Sequence, residues 1–442
     1  MSGIANSDVI GVGMIGLGTV GSGVAKLLRD EADLYTQRTG KRIELRRVLV
    51  RDTDKAKASG VVDPAIVTDD QEAIISAEDI DVVIEVAGGI DPIQSIVTWA
   101  VEHGKHLVTA NKSLLATHGA DLFAAARRSG VSIAFEASCG GGIPCVTALT
   151  CGLMANRIDG LFGILNGTCN YILTEMTSAG KTYAQALKEA QDAGFAEADP
   201  TLDVSGADAA QKLAILASLA FGVQVTGDDV PAIGVDGLDL KDIRFGDELG
   251  YDVKLLAIAE RWPGERWVNV GVQPCFIKKG ELLAQVRGPF NALSVHGHAV
   301  GHTLYYGQGA GQMPTASAVV SDLLGIVSGW VPSAFGNLKL TPDLTEPAPL
   351  LDRADTESAY YLRMETLDEP GVMAKVTAIL GGKGISLSAV LQHESKAGEV
   401  VSLVVTTHMT RLGDVEEAAK EIAELSPIRG EPVIIRVVEM PA

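Results

Sequence analysis

The run Val9-Ile10-Gly11-Val12-Gly13-Met14-Ile15, followed by Gly16-Leu17-Gly18-Thr19-Val20-Gly21, decides the fold. Residues 9–15 read as a strand buried on both faces, because apolar residues and glycines run through it without alternation. The turn after it is built on Gly16, Gly18 and Gly21. At that spacing the first glycine permits a tight turn and the second lets the backbone approach a pyrophosphate. The third lets the following helix pack on the strand. A helix to about residue 29 follows, and its first N–H groups and positive dipole end suit a phosphate. Strand, turn and helix in this order point to a bound dinucleotide; a glycine-rich turn without a ligand is the alternative.

Working outward, further strands are predicted at 43–50, 81–86, 106–109 and 132–135, with helical patterns at 92–103 and 119–129. Alternating strands and helices form βαβ units, which give a parallel sheet with right-handed crossovers. The reading for residues 1–140 is therefore a doubly wound, Rossmann-type NAD(P)-binding domain. The second strand ends at Val50 and is followed by Arg51-Asp52. An arginine there can hold a 2′-phosphate and an acidic residue a ribose 2′-hydroxyl. Arg51 comes first, which favours NADP(H); Asp52 keeps NAD(H) open, and a solvated loop charge is the plain alternative for Arg51.

The pattern changes after residue 140. Strand-like runs at 158–165, 268–272 and 304–306, with helices from about 169 to 221, give an α+β domain over 141–335. Its apolar helix 315–328 is expected to pack back on the first domain. Pro342, Pro347 and Pro349 among acidic residues mark a linker over 336–357. Residues 358–442 then show a βαββαβ order, with strands at 360–366, 385–392, 399–407 and 433–438 and helices at 372–382 and 415–423. That order is ferredoxin-like. The whole chain is thus of the α/β class.

Composition narrows the function. The 442 residues are 47% hydrophobic and only 5% aromatic, with 49 glycines, which suits close strand–helix packing. A net charge of −20 repels phosphate backbones and argues against a nucleic-acid partner. Cys139, Cys145, Cys151, Cys169 and Cys275 form no CxxC pair and lie in apolar or glycine-rich stretches, as expected of buried thiols in a reducing cytoplasm. The opening MSGIANSDVI has neither the basic nor the apolar region of a leader, and no apolar run has the length of a membrane span.

Three polar features stand out. Residues 207–221, ADAAQKLAILASLAF, form a helix that is apolar nearly all round yet carries Asp208 and Lys212. Four residues apart, they share one face. A structural ion pair is one reading; an acid–base pair beside a cleft is the other, since buried ionisable groups need a reason. Lys112, in Thr109-Ala110-Asn111-Lys112, lies at the carboxyl end of a parallel strand, where such sheets bind ligands, unless it is simply a surface lysine. The loop 194–200, with Glu197 and Asp199, and then Asp203 offer carboxylates to a substrate ammonium group, or merely a solvated acidic surface. His296, His298 and His302 lack the frame of a zinc site.

These stretches together resemble homoserine dehydrogenase. The similar segments are GLGTVGSGV at 16–24, EVAGG at 85–89, TANK at 109–112 and FEASCGGGIP at 135–144. LNGTCNYIL at 165–173, GFAEADPTLDVSGADAAQKL at 194–213 and GQGAGQMPTASAVVSDL at 307–323 complete the series in the family's order. The last segment, with Asp368-Glu369-Pro370-Gly371-Val372 and Gly384-Ile385-Ser386-Leu387, looks like an ACT domain, which the longer bacterial members carry.

The resemblance implies reversible reduction of L-aspartate 4-semialdehyde to L-homoserine by NAD(P)H, in threonine, methionine and isoleucine synthesis. It makes Lys212 the acid–base residue, with Lys112 a second lysine at the reacting oxygen and Asp208 beside them. Glu197, Asp203, Gly167 and Thr168 match the family's substrate contacts. Gly16, Gly18, Thr19, Val20, Gly21, Arg51, Ala87, Gly88, Lys112, Gly309 and Gly311 match its cofactor contacts. Glu136, Cys139, Gly141 and Ile143 match a loop that binds sodium, mainly through carbonyl oxygens. It further implies a homodimer or homotetramer, and threonine or another amino acid as effector of the ACT domain.

Overall fold

A computed structural model describes residues 7–262, 267–394 and 399–441. Residues 1–6, part of the segment read for a leader, and Arg266, where the strand-like stretch of the second domain begins, lie outside the described residues. The chain opens with β1 (Val9–Ile15), α1 (Thr19–Asp30), α2 (Ala32–Thr39), β2 (Arg42–Leu49), α3 (Thr53–Ala58), β3 (Val67–Thr68), α4 (Glu72–Ile75) and β4 (Val82–Glu85). It continues through α5 (Ile93–Glu102), β5 (His106–Thr109), α6 (Lys112–Arg128), β6 (Ile133–Ala134), α7 (Cys145–Thr147) and β7 (Ile158–Ile164). Next come α8 (Gly167–Ala179), α9 (Tyr183–Asp192), α10 (Thr201–Val204), α11 (Ala207–Phe221), α12 (Leu240–Glu248), β8 (Tyr251–Arg261) and β9 (Val268–Lys278). Then follow β10 (Phe290–Gly297), β11 (Gly301–Gln308), α13 (Gln312–Val327) and α14 (Trp330–Asn337). The last elements are β12 (Glu357–Leu367), α15 (Val372–Gly382), β13 (Leu387–Gln392), β14 (Val400–Thr407), β15 (Thr410–Arg411), α16 (Leu412–Ala423) and β16 (Ile428–Val438).

The chain divides into two compact units. One gathers Met1–Leu165, Asp208–Val230 and Phe290–Ala348; the other gathers Asn166–Ala207, Pro231–Pro289 and Pro349–Ala442.

In the first unit, six parallel strands lie in the order β3-β2-β1-β4-β5-β6. This is the doubly wound arrangement, and its strand order reverses between β1 and β4, where a ligand crevice opens at the carboxyl ends. The interior strands are apolar because helices cover both faces: Ile10, Val12, Met14, Val82, Ile84 and Val108 are fully buried. Helix α13 joins that core through Val319, Leu323 and Ile326. It approaches α1 at Gly23, where a Cβ would stand 2.9 Å from the Ala316 Cβ. The same unit holds a second sheet in which β10 pairs antiparallel with both β7 and β11.

In the second unit, β16, β12, β14 and β13 form an antiparallel ferredoxin-like sheet carrying α15 and α16, with its own core of Leu362, Met364, Val376, Leu380, Val405, Val415 and Ile422. Strand β16 also pairs in parallel with β9, with Arg436 opposite Cys275 and Val438 opposite Ile277. The terminal domain is therefore continuous with the β8–β9 sheet. Charged pairs reinforce the join: buried Arg436 reaches the half-buried Glu260 at 2.9 Å, and Arg363 on β12 grips Asp242 on α12, both buried, through two bonds of 2.6 and 2.9 Å.

Several elements depart from the sequence reading. Helix α6 begins at Lys112, seven residues before the predicted start, because Asn111 caps it by accepting from Leu114 N at 3.1 Å. The region 169–221 is four helices, α8 to α11, broken at Gly180, Gly194 and Gly206, all with positive φ. Strand β8 was not expected; its Lys254 is buried, and its ammonium donates to the Val286 carbonyl and to Asn170 Oδ1. Among the cysteines, Cys151 is exposed, contrary to expectation, and the other four are buried. Among the described residues no single helix is long and apolar enough to cross a membrane.

Candidate active site

The carboxyl ends of β1 and β4 carry the glycine-rich turn. Gly16 has φ +100, and a Cβ on it would meet Ala87 backbone at 2.9 Å. On Gly21 a Cβ would meet the Gly16 carbonyl oxygen at 2.3 Å. Gly18, by contrast, has nothing within 4 Å of a Cβ position and caps α1. The outer two glycines thus close the turn on itself while the middle one faces open space beside the helix N-terminus. This is the cradle a pyrophosphate requires, with Thr19 and Val20 as the first residues of α1.

At the end of β2, Arg51 is exposed. Asp52 is engaged elsewhere: its Oδ1 accepts from Lys55 N at 2.9 Å and caps α3.

Behind the turn, Glu85 ends β4 and is fully buried. Its Oε1 accepts from Ala87 N and Gly88 N, both at 2.9 Å, and its Oε2 accepts from Thr109 Oγ1 at 2.7 Å. Burial pushes this carboxyl up, against the pull of those donors and Asn111. Sequence reasoning missed Glu85; the signal was a carboxylate closing the otherwise apolar run VVIE.

Helix α11 presents Asp208 and Lys212. Lys212 Nζ donates to Asp208 Oδ2 at 2.8 Å and to the Leu165 carbonyl at 2.7 Å, at the end of β7. Lys112 Nζ, at the start of α6, lies 3.2 Å from Asp208 Oδ1. One carboxylate, 7% exposed, therefore bridges two ammonium groups from different elements. That exceeds a simple i,i+4 pair. A lone buried carboxylate–ammonium pair is already neutral, so a second ammonium leaves net positive charge, as a developing oxyanion needs.

Beside them lies the loop of Glu136, Cys139, Gly141 and Ile143. Glu136 accepts from Val146 N at 2.8 Å and Thr147 N at 2.7 Å. Its own N–H donates to Asp322 Oδ2 at 2.8 Å. Burial pushes up both carboxyls, and Glu136 pushes Asp322 up further. Burial pushes the Cys139 thiol up to about 12, so it is no thiolate ligand, and it points at the Lys212 carbonyl. With the Glu136 carboxylate already accepting two N–H groups, the main-chain carbonyls of the loop remain as oxygen donors, a set that suits a hard cation. Among the described residues no cluster of three His, Cys, Asp or Glu side chains could hold a metal. Gly141 packs on the other glycine loop: a Cβ there would sit 2.4 Å from the Gly309 carbonyl oxygen. Gly311, φ +126, caps α13.

In the second unit, Asp203 is held by Asn166 Nδ2 at 2.8 Å and by Thr168 Oγ1 at 3.1 Å. Gly167 opens α8, which Asn166 caps through Cys169 N. Glu197 is exposed, on a loop tied back by Gln191 through the Glu197 and Ala198 carbonyls.

Comparison with known proteins closes the question of kind. Residues 16–136 match the NAD-binding domain of homoserine dehydrogenase, 144–324 match the homoserine dehydrogenase domain, and 360–427 match the ACT domain. The homoserine dehydrogenase of Pseudomonas aeruginosa is 41% identical over 97% of this chain and 99% of its own. This chain belongs to the homoserine dehydrogenase family. The Bacillus subtilis homoserine dehydrogenase is 40% identical over 95% of this chain and 96% of its own. The crystal structure of the Thiobacillus denitrificans homoserine dehydrogenase superposes with a TM-score of 0.91 at 42% identity, over 98% of both chains. The homoserine dehydrogenase resemblance read from the seven motifs is thus confirmed, as are the NAD(P)-binding Rossmann domain and the ACT domain. A homoserine dehydrogenase interconverts L-homoserine and L-aspartate 4-semialdehyde with a nicotinamide cofactor, on the route to threonine, methionine and isoleucine.

Proposed function

We propose that Lys212 is the acid–base residue of this homoserine dehydrogenase, with Lys112 as the second cation at the reacting oxygen and Asp208 holding both. The observation that carries this reading is the bridging carboxylate, 3.2 Å from one ammonium and 2.8 Å from the other. An ammonium has three hydrogens; the Leu165 carbonyl and Asp208 account for two on Lys212. The third serves the substrate oxygen. In oxidation the substrate hydroxyl proton passes to a neutral Lys212 amine. In reduction the ammonium returns it as negative charge forms on the aldehyde oxygen, and Lys112 stabilises that charge. The bound nicotinamide supplies or accepts the hydride. Glu197 and Asp203 take the substrate ammonium, with Gly167 and Thr168 as further contacts, and fix the carbon that reacts.

For the cofactor we propose a preference for NADP(H), with NAD(H) used more weakly. Gly16, Gly18, Thr19, Val20, Gly21, Ala87, Gly88, Lys112, Gly309 and Gly311 form the cofactor contacts. Arg51 takes the 2′-phosphate; the support is that Asp52 already caps α3 while Arg51 is exposed. A sodium ion, held by carbonyl oxygens of the 136–143 loop, would stiffen the loop that touches both Lys212 and Gly309. The ACT domain is read as the site of an amino-acid effector such as threonine, and the assembly as a homodimer or homotetramer. Its place is the cytoplasm, where the nicotinamide pool and a reducing setting for its thiols are found.

Oxidation of L-homoserine, followed at the nicotinamide absorbance with NADP and NAD in parallel, tests the cofactor reading. The wild type is expected to favour NADP in kcat/KM, and Arg51→Ala to cut that preference by about 10- to 100-fold, the worth of a charge-assisted bond to phosphate. Equal use of both cofactors, or a ratio untouched by Arg51→Ala, would refute it.

A further inference from the structure

Glu85 sits at the centre of a closed ring of hydrogen bonds that joins two motifs far apart in sequence. One oxygen takes the N–H groups of Ala87 and Gly88, and the other takes the Thr109 hydroxyl. Thr109 Oγ1 in turn accepts from Asn111 N at 3.0 Å. Asn111 closes the ring by donating from Nδ2 to the Gly89 carbonyl at 2.6 Å, while its Oδ1 caps α6 on Leu114 N. A backbone bond from Ala110 N to the Glu85 carbonyl, 3.2 Å, runs alongside. The residue after Asn111 is Lys112, which starts α6 and extends to Asp208.

We propose that Glu85 is a positioning residue: it locks the 87–89 loop and the first turn of α6 into one piece and so sets where the Lys112 ammonium stands. The inference rests on the reading of Lys112 as a cation at the reacting oxygen. The chemistry of the site supports it. A carboxylate buried to 0% exposure is costly unless several donors meet it. Here the donors are the 87–88 loop and Thr109, the last residue of β5, whose strand leads through Ala110 and Asn111 into α6. A hydrophobic residue would close β4 at less cost if only the fold were served. Lys112 itself has a long, half-buried side chain at a helix start, so its position depends on how α6 begins.

Two substitutions disturb the Thr109 arm and leave the loop arm, Glu85→Gln by reversing its polarity and Thr109→Val by removing it. In Glu85→Gln, the amide oxygen still accepts from Ala87 N and Gly88 N, but its NH2 meets Thr109, whose own proton loses its acceptor. Thr109→Val removes the same bond from the other side, and Thr109→Ser restores it. The measurements are kcat and KM for L-homoserine, NADP(H) affinity by fluorescence titration, and melting temperature. They are made on these variants, on Lys112→Ala and on the Glu85→Gln/Lys112→Ala double variant.

The expected result for Glu85→Gln and Thr109→Val is a fall in kcat of about 10- to 100-fold, the cost of a misplaced group. NADP(H) affinity stays within a few-fold, Thr109→Ser recovers kcat, and Glu85→Gln adds little on top of Lys112→Ala. If the folded Glu85→Gln and Thr109→Val enzymes keep full kcat, or if the losses with Lys112→Ala simply multiply, Glu85 is a structural carboxylate. The proposal then falls while Lys112 keeps its role. If Lys112→Ala alone leaves kcat unchanged, the Lys112 reading fails and takes the proposal with it. Should Glu85→Gln fail to fold, Thr109→Val and Thr109→Ser decide the matter by themselves.

Discussion

Lys212→Ala is expected to lower turnover of L-homoserine by about 10²- to 10⁴-fold, the usual contribution of a positioned acid–base group. Nothing else among the described residues around Leu165 can replace its proton. The neighbouring Lys112 is tied to the other oxygen of Asp208 and enters from a different helix. Removing the side chain also leaves the Leu165 carbonyl without the donor it had at 2.7 Å. The fold is expected to survive, because Asp208 retains Lys112 and the truncation leaves no bare buried charge. Cofactor affinity is expected to stay within a few-fold, since the glycine turn is built from other segments. Lys212→Arg should not rescue the rate: a guanidinium keeps its charge at any working pH and cannot take the substrate proton. Turnover near the wild-type value in Lys212→Ala would end the assignment.

Arg363→Ala is expected to be the most destabilising of the single changes considered, costing about 3–5 kcal/mol. Asp242 is 1% exposed and Arg363 7%, and the two meet through paired bonds of 2.6 and 2.9 Å. Tyr361 Oη also donates to Asp242 at 2.9 Å, and Glu365 accepts from the other side of the guanidinium at 2.5 Å. Taking away the guanidinium leaves a buried carboxylate with one neutral donor and little water. Chemical denaturation, read as the shift of the midpoint at unchanged slope, measures the loss. The control is Asp242→Leu combined with Arg363→Met, which removes both charges and should recover most of the stability. A single variant as stable as the wild type would show that water reaches Asp242 after all.

The parts legible in the sequence are those whose physics is local. The glycine turn declares itself because each glycine answers a steric demand within a few residues. Asp208 and Lys212 declare themselves because a charged pair one helical turn apart breaks an apolar pattern. Strand β8 hid because Asp252 and Lys254 interrupt its apolar run, yet both are buried and satisfied by residues remote in sequence. The role of Glu85 lay hidden for the same reason: Thr109, which gives it meaning, comes two elements later. Asp322 lies in a helix read simply as apolar, and only the fold places its carboxylate at Glu136 N. Nor could any local pattern show that α11 returns to the unit of β1 while α10, just before it, does not.

The pairing of β16 with β9 bears on how the ACT domain could be removed. A module hung on a loose tether can be cut off and discarded. Here the final strand of the chain is the hydrogen-bonded neighbour of Cys275, Phe276 and Ile277, all three buried. A chain ended before Glu357 would strip that edge bare and leave an apolar strand ready to stick to its copies. Such a cut should yield insoluble protein; recovery of a soluble, fully active fragment would prove the seam dispensable. To test the proposed effector role of the ACT domain while keeping the catalyst, one would alter single side chains within that domain and leave its last strand in place.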